Sequence, residues 1–165
     1  MATKTFFSFH YIPDNWRASQ VRNFGAIEGN QPVSDNDWEG ITNQGEKAIE
    51  NWINNQMSGR SAAVVLIGSE TANRKWINYE IVHAWNNEKG VVGIYVHNLL
   101  DAAKKRSAKG NNPFDYITLR DTSSKLSSVV KAYDPPGSDS KQVYDYIGNN
   151  IGAWVDEAIR IRNGN

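Results

Sequence analysis

The chain has 165 residues, 39% hydrophobic and 22% charged, with 18 basic against 18 acidic side chains and no cysteine. This length suits one domain with a core large enough to carry helices on both faces of a sheet, and the composition lies outside the disordered class. A zero formal charge without blocks of like charge argues against a nucleic-acid partner, and the missing thiols exclude disulfides, cysteine nucleophiles and thiolate metal sites.

Thr5-Phe6-Phe7-Ser8-Phe9-His10-Tyr11 reads as a first strand that runs into a loop at Ile12-Pro13-Asp14. Asp14 or Asn15 then caps a helix through Arg22, and Phe24 to Ile27 forms a brief second strand with a turn at Glu28-Gly29-Asn30-Gln31-Pro32. Asp35 or Asp37 caps the next helix, with Ile41, Ala48, Ile49, Trp52 and Ile53 along one face and Gly59 as its exit.

Ser61 to Gly68 is a continuous apolar run, the pattern of a strand covered on both faces. A polar loop from Ser69 to Lys75 leads into a helix carrying Trp76, Ile77, Glu80, Ile81, Ala84 and Trp85, and Val91 to Val96 is a second buried strand. Strand, helix and strand with short links make a right-handed parallel crossover.

Asn98 to Gly110 reads as a short helix and a loop, Asn111 to Tyr116 as a structured turn, and Val129, Val130 and Tyr133 as a short last strand. The closing stripe Tyr144, Ile147, Ile151, Trp154, Val155, Ala158 and Ile159 is that of an amphipathic helix docked on a sheet, with Gly148 and Gly152 as weak helix formers within it. The sum is one α/β domain over residues 1–165: a flavodoxin-like three-layer fold with a central, mostly parallel sheet of four or five strands. No secretion signal and no run of 18 apolar residues occurs, so the expectation is a cytoplasmic protein without membrane contact.

Ligands of open α/β sheets bind beyond the carboxyl ends of the strands, where His10-Tyr11, Gly68-Ser69-Glu70-Thr71 and His97-Asn98 should converge. Glu80 lies in the early turns of its helix, where its carboxylate can face that cleft while Ile77, Ile81 and Ala84 face the core. It reads either as a surface carboxylate paired with a base or as a ribose ligand or general acid/base. Ser8 and His10 share a strand face opposite Phe7 and Phe9, as packed residues or as ligand contacts. Gly68-Ser69 ahead of a helix offers free N–H groups to a phosphate or ribose hydroxyl, or is simply a turn.

The three histidines, His10, His83 and His97, show no metal-ligand spacing, so no metal is expected. The P-loop, the dinucleotide fingerprint and the G-x-S-x-G elbow are absent, as is the acidic pair of a phosphoaccepting receiver.

Several blocks in order resemble a known family. Phe6-Phe7-Ser8-Phe9-His10-Tyr11, Val65-Leu66-Ile67-Gly68-Ser69-Glu70-Thr71 with Asn73-Arg74-Lys75-Trp76-Ile77-Asn78-Tyr79-Glu80-Ile81, Gly93-Ile94-Tyr95-Val96-His97, and Lys109 to Tyr116 are similar to the TIR-like domains of bacterial Thoeris antiviral defence, in the ThsB-like branch. The resemblance covers roughly residues 4 to 120. It implies a TIR-like fold in which Glu80, in the Tyr79-Glu80 step, engages the nicotinamide ribose of NAD while the N-glycosidic bond breaks, so NAD is a substrate and no cofactor is needed.

The resemblance further implies that Phe7, Ser8 and His10 line the pocket, with Gly68, Ser69 and Thr71 near ribose or phosphate. The ADP-ribosyl remainder would be cyclised or captured by water, and the resulting nucleotide would activate a separate effector protein. Some relatives are silent until triggered or assembled with further copies, and others act as scaffolds, so a noncatalytic interaction module using Tyr11, Trp16, Trp38 and Tyr116 is the alternative.

Overall fold

The computed structural model describes residues 2–30, 35–120 and 122–165. In chain order the elements are β1 (Thr3–Ser8), α1 (Tyr11–Val21), β2 (Ile27–Gly29), α2 (Asp35–Asn43), α3 (Glu46–Met57), β3 (Ala62–Ile67), α4 (Lys75–Asn86), β4 (Gly90–Tyr95), β5 (Ala132–Tyr133) and α5 (Ser140–Asn163). The five strands form one parallel sheet in the order β2-β1-β3-β4-β5, the doubly wound flavodoxin order.

The centre of that sheet follows from the apolar run. β3 is Ala-Ala-Val-Val-Leu-Ile and every residue of it is buried, as is every residue of β4. β-branched side chains fit a pleated surface, and a strand covered on both faces has no place for polar alternation. Ala62 pairs with Gly90 and the register continues to Ile67 with Tyr95, while Ser8 at the end of β1 pairs with Val65.

Period-two alternation divides the core into two layers. Phe7, Val64, Leu66, Val92 and Ile94 face α1 and α5, joining Ala18, Val21, Ile147, Ile151 and Val155. Phe6, Ala63, Val65, Ile67 and Val91 face α3 and α4, joining Ile49, Ile53, Ile77 and Ile81. Consecutive residues of β1 thus look into opposite layers, and Ser8 shares the α4 side with Phe6.

Four expectations are corrected. Ile12-Pro13-Asp14 is not a loop but the first turn of α1, which starts at Tyr11; proline is tolerated there because first-turn N–H groups have no intrahelical acceptor. The expected single helix over residues 35–57 is two, α2 and α3, parted at Gly45, whose φ of 97° suits glycine and breaks the helical path.

β2 is Ile27–Gly29, later than Phe24 to Ile27, because the Phe24 ring turns away to pack on Tyr144 of α5, 4.7 Å between centroids, over the bare Cα of Gly148. The segment Asn98 to Gly110 holds no helix. Asp101 accepts from the N–H groups of Ala103 and Lys105, both at 2.9 Å, a local arrangement that competes with helix formation. The turn at Gln31-Pro32 and the capping side chains Asp35 and Asp37 fall outside the described residues.

α5 runs 24 residues from an Asp139 cap whose carboxylate accepts from Gln142 N–H at 2.8 Å. It lies along β4, with Trp154 stacked on Tyr133 at 4.6 Å. No helix among the described residues is long and apolar enough to cross a membrane.

Candidate active site

A cleft of about 450 Å³ opens where β1 ends, walled by the start of α1, by α3 and by the first turns of α4. That volume lies in the range that holds a small organic ligand. Its walls are largely aromatic, from Phe7, Phe9, Tyr11, Trp52 and Trp76, with Glu80 as the acidic group of the lining.

Glu80 reaches the cleft through helix geometry. α4 turns Ile77, Ile81 and Ala84 into the α3 and α4 layer, and Glu80 projects beside them toward β1. Its side chain is 8% exposed. Ser8, 1% exposed, donates its hydroxyl proton to Glu80 Oε1 at 2.8 Å. The neighbouring Tyr79 points elsewhere and donates to Asn54 Oδ1 at 2.9 Å, tying α4 to α3.

Among the described residues no cation is ion-paired with Glu80. Burial therefore pushes its carboxyl up to about 8, and the Ser8 hydroxyl opposes that shift without cancelling it. The carboxyl thus holds its proton more tightly than an ordinary glutamic acid does. A cationic ligand beside it would favour ionisation, so this carboxyl is poised to gain charge when a positive group arrives.

His10 lines the same cleft, and burial together with the Arg74 charge holds its imidazole below the ordinary value. Asn30, at the end of β2, lends its Oδ1 to the N–H of Phe7 at 3.0 Å and adds a polar rim. Phe7, Ser8, His10 and Glu80 are thus gathered around the end of β1.

Gly68, Ser69 and Thr71 are not brought to this cleft; they form a separate corner beyond β3. Gly68 N–H already donates to the buried Thr71 hydroxyl at 2.8 Å, and a side chain at Gly68 would collide with the Asp14 carboxylate. The backbone of Gly110 closes over the Gly68 carbonyl, and Ser69 faces solvent. Of the three segments expected to converge, only His10-Tyr11 lines the cleft.

Asp14 in that corner is 1% exposed and paired with Arg17 at 2.8 Å. Arg17, 2% exposed, also donates to the carbonyls of Pro13, Leu99 and Lys105, at 3.2, 2.9 and 2.9 Å, and so staples the loop after β4 to α1. Spacing of three on a helix signals such a pair, but nothing in sequence says that it is buried. Arg22, Trp52, Asn73 and Trp76 were likewise invisible as lining residues, because they come from elements whose mutual placement sequence does not state.

The profile of the Thoeris protein ThsB, TIR-like domain, matches residues 6–101. That span holds the second half of β1, from Phe6 to Ser8, with the Ser8–Glu80 hydrogen bond and all of α4. The chain is also similar to a Bacillus cereus (strain MSX-D12) protein named "Putative cyclic ADP-D-ribose synthase ThsB1", with 29% identity over 97% of this chain and 85% of that protein. A parallel sheet in flavodoxin order, a glutamate bonded to the first strand and a profile match over more than half the length agree: the chain belongs to the TIR-like domain family of the Thoeris protein ThsB.

Proposed function

We propose that this chain cleaves NAD at the bond between nicotinamide and ribose and closes the ADP-ribosyl remainder into a cyclic ADP-ribose-type nucleotide that activates a separate effector. The observation that carries this reading is Glu80: a buried carboxyl without a cationic partner among the described residues, bonded to Ser8, in an aromatic cleft of about 450 Å³. The name of the Bacillus cereus relative supports the same product class.

The chemistry asks little of the protein beyond charge and position. Nicotinamide in NAD is a pyridinium, so the C1–N bond can break with its electron pair leaving on a neutral base and without a proton donor. Positive charge then develops on the ribose, and an ionised carboxylate in a low-dielectric cleft stabilises that state more than the ground state. The arriving pyridinium is also what draws the proton from Glu80. An adenine nitrogen or ribose hydroxyl folded against C1 captures the cation in place of water through proximity, and an attacking hydroxyl gives its proton to solvent as the new C1–O bond forms.

The test is mass spectrometry of NAD-derived molecules in cells before and after phage challenge, natural chain against Glu80→Gln. Product should fall roughly a hundredfold to a thousandfold in the variant, in line with loss of a preorganised charge. Unchanged product from a folded Glu80→Gln chain removes the catalytic role.

A second reading, a noncatalytic interaction module, is favoured by one observation: Ile12 and Trp16 on α1 are 87% and 56% exposed and together line a shallow groove next to the cleft. It predicts partner-dependent assembly that survives Glu80→Gln and is lost in Ile12→Asp, measured by sedimentation velocity.

A further inference from the structure

We infer that Arg22 is the anion anchor of the cleft, a site for a phosphate-class group; if the ligand is the dinucleotide proposed above, on which this identification alone rests, the group is its diphosphate.

Three cations line the cleft: Arg22, Arg74 and Lys75. Two of them are already occupied and lie in solvent. Arg74 is exposed and donates through Nε to the Glu70 carbonyl at 2.8 Å. Lys75 is ion-paired with Glu46 and sits 5.1 Å from the centre of the Trp76 ring.

Arg22 differs from both. It is half-buried, and its guanidinium lies 5.8 Å from the centre of the Phe9 ring. Among the described residues it makes no ion pair and no side-chain hydrogen bond. Arg17, five residues earlier, shows what a resident structural arginine does: it spends its donors on three carbonyls and a carboxylate.

Withdrawing a guanidinium from water without a counter-charge is costly, and arginine does not escape by losing its proton. Burial does press its pKa downward. A ligand supplying two acceptor oxygens matches the planar fork and offsets that cost. The side chain is also guided in place: its Cγ lies close to the bare Cα of Gly29, where any larger residue would meet the Phe7 ring.

The position carries size information. Phe7 and Gly29 put Arg22 on the α1 side of the sheet, while Ser8 and Glu80 lie on the α4 side. A ligand that touches both must run over the end of β1. A nucleoside confined to the Glu80 side leaves Arg22 empty, whereas a sugar carrying a phosphate chain can reach it.

Isothermal titration calorimetry of the full chain separates these cases with three probes: pyrophosphate, ADP-ribose and nicotinamide riboside, which has no phosphate. Arg22→Gln should weaken pyrophosphate and ADP-ribose roughly tenfold to a hundredfold, the worth of charged hydrogen bonds, and leave nicotinamide riboside unchanged. Arg22→Lys keeps the charge without the fork and should fall between. Should Arg22→Gln not fold, Arg22→Lys and the shift of the Arg22 Nε–H resonance on adding pyrophosphate to the natural chain decide the matter.

Equal affinity of natural and variant chains for pyrophosphate and ADP-ribose overturns the anchor, as does a natural chain that binds neither at millimolar concentration. The two proposals fail separately. NAD cleavage with an unchanged KM in Arg22→Gln removes the anchor and spares the enzyme, while Arg22-dependent pyrophosphate binding without NAD cleavage does the reverse.

Discussion

Two buried carboxylates at the same end of the sheet have opposite surroundings. Asp14 sits in a filled corner against Gly68 with Arg17 paired to it at 2.8 Å. Glu80 sits at a cleft with one serine hydroxyl as its bonded partner. Burial raises the pKa of both, but at Asp14 the arginine opposes that shift through a hydrogen bond and its charge. The lesson concerns the countercharge: where the chain supplies it, the carboxylate fixes a loop, and where the chain withholds it, the carboxylate is free to answer a ligand's charge.

The contrast breaks first at Glu80. Glu80→Gln should cost the roughly hundredfold to thousandfold of product formation given above while leaving the far-UV circular dichroism unchanged. If the same substitution unfolds the chain, the two carboxylates are equally structural.

Arg17→Met is the converse case. Removing one partner of a buried pair strands the other charge, so stability should drop by about 3–5 kcal/mol, read from urea denaturation. Protease cleavage within residues 99–105 should rise as well, because Arg17 bonds the carbonyls of Leu99 and Lys105. A loss below about 1 kcal/mol would mean that the corner is not held by this pair.

The pH dependence of stability sharpens the comparison. The Glu80 carboxyl binds its proton more tightly in the fold, at about 8, than in the unfolded chain, near 4.5. Between those values the native state carries the extra proton, so its contribution to stability is complete below 4.5 and declines as pH rises toward 8, by up to ~1.4 kcal/mol per unit. Glu80→Gln should abolish that decline and melt higher than the natural chain at pH 8. A natural chain whose stability is flat across this window would show that Glu80 ionises freely.

Ser8→Ala is the gentlest probe. The hydroxyl favours the ionised carboxylate, so its loss should raise the pH at which kcat/KM reaches half its maximum. The rate at neutral pH should fall about tenfold. A lower rate with an unmoved midpoint would assign Ser8 to packing alone.

The architecture was legible because its signals are local and redundant. The apolar runs at 61–68 and 91–96, linked by a stripe of period 3.6, specify a crossover without knowledge of any contact. One misplaced boundary lies where a distant partner decides, since Phe24 leaves β2 for Tyr144, 120 positions later in the chain; another lies where a side chain captures its own neighbourhood, since Asp101 organises a loop that composition alone would allow to be helical.

The site divides in the same way. Glu80 was legible from its helical phase and from the family resemblance, and Ser8 from its strand face. Its specific service, a hydrogen bond to a residue 72 positions away, was not. Gly68, Ser69 and Thr71 look like a ligand turn in sequence because a free N–H and an occupied one are spelled alike; only the fold reveals that Thr71 has taken it.

Asn30 gives the cleft a built-in clock. β2 pairs with β1 over Thr3, Lys4 and Thr5 only, and beyond that ladder the Phe7 amide is capped by the Asn30 side chain. Its deuterium uptake therefore times the swinging of one asparagine rather than the melting of a strand. A ligand lodged over Asn30 would slow that uptake at Phe7 and leave the amides of β4, deep in the sheet, exchanging as before.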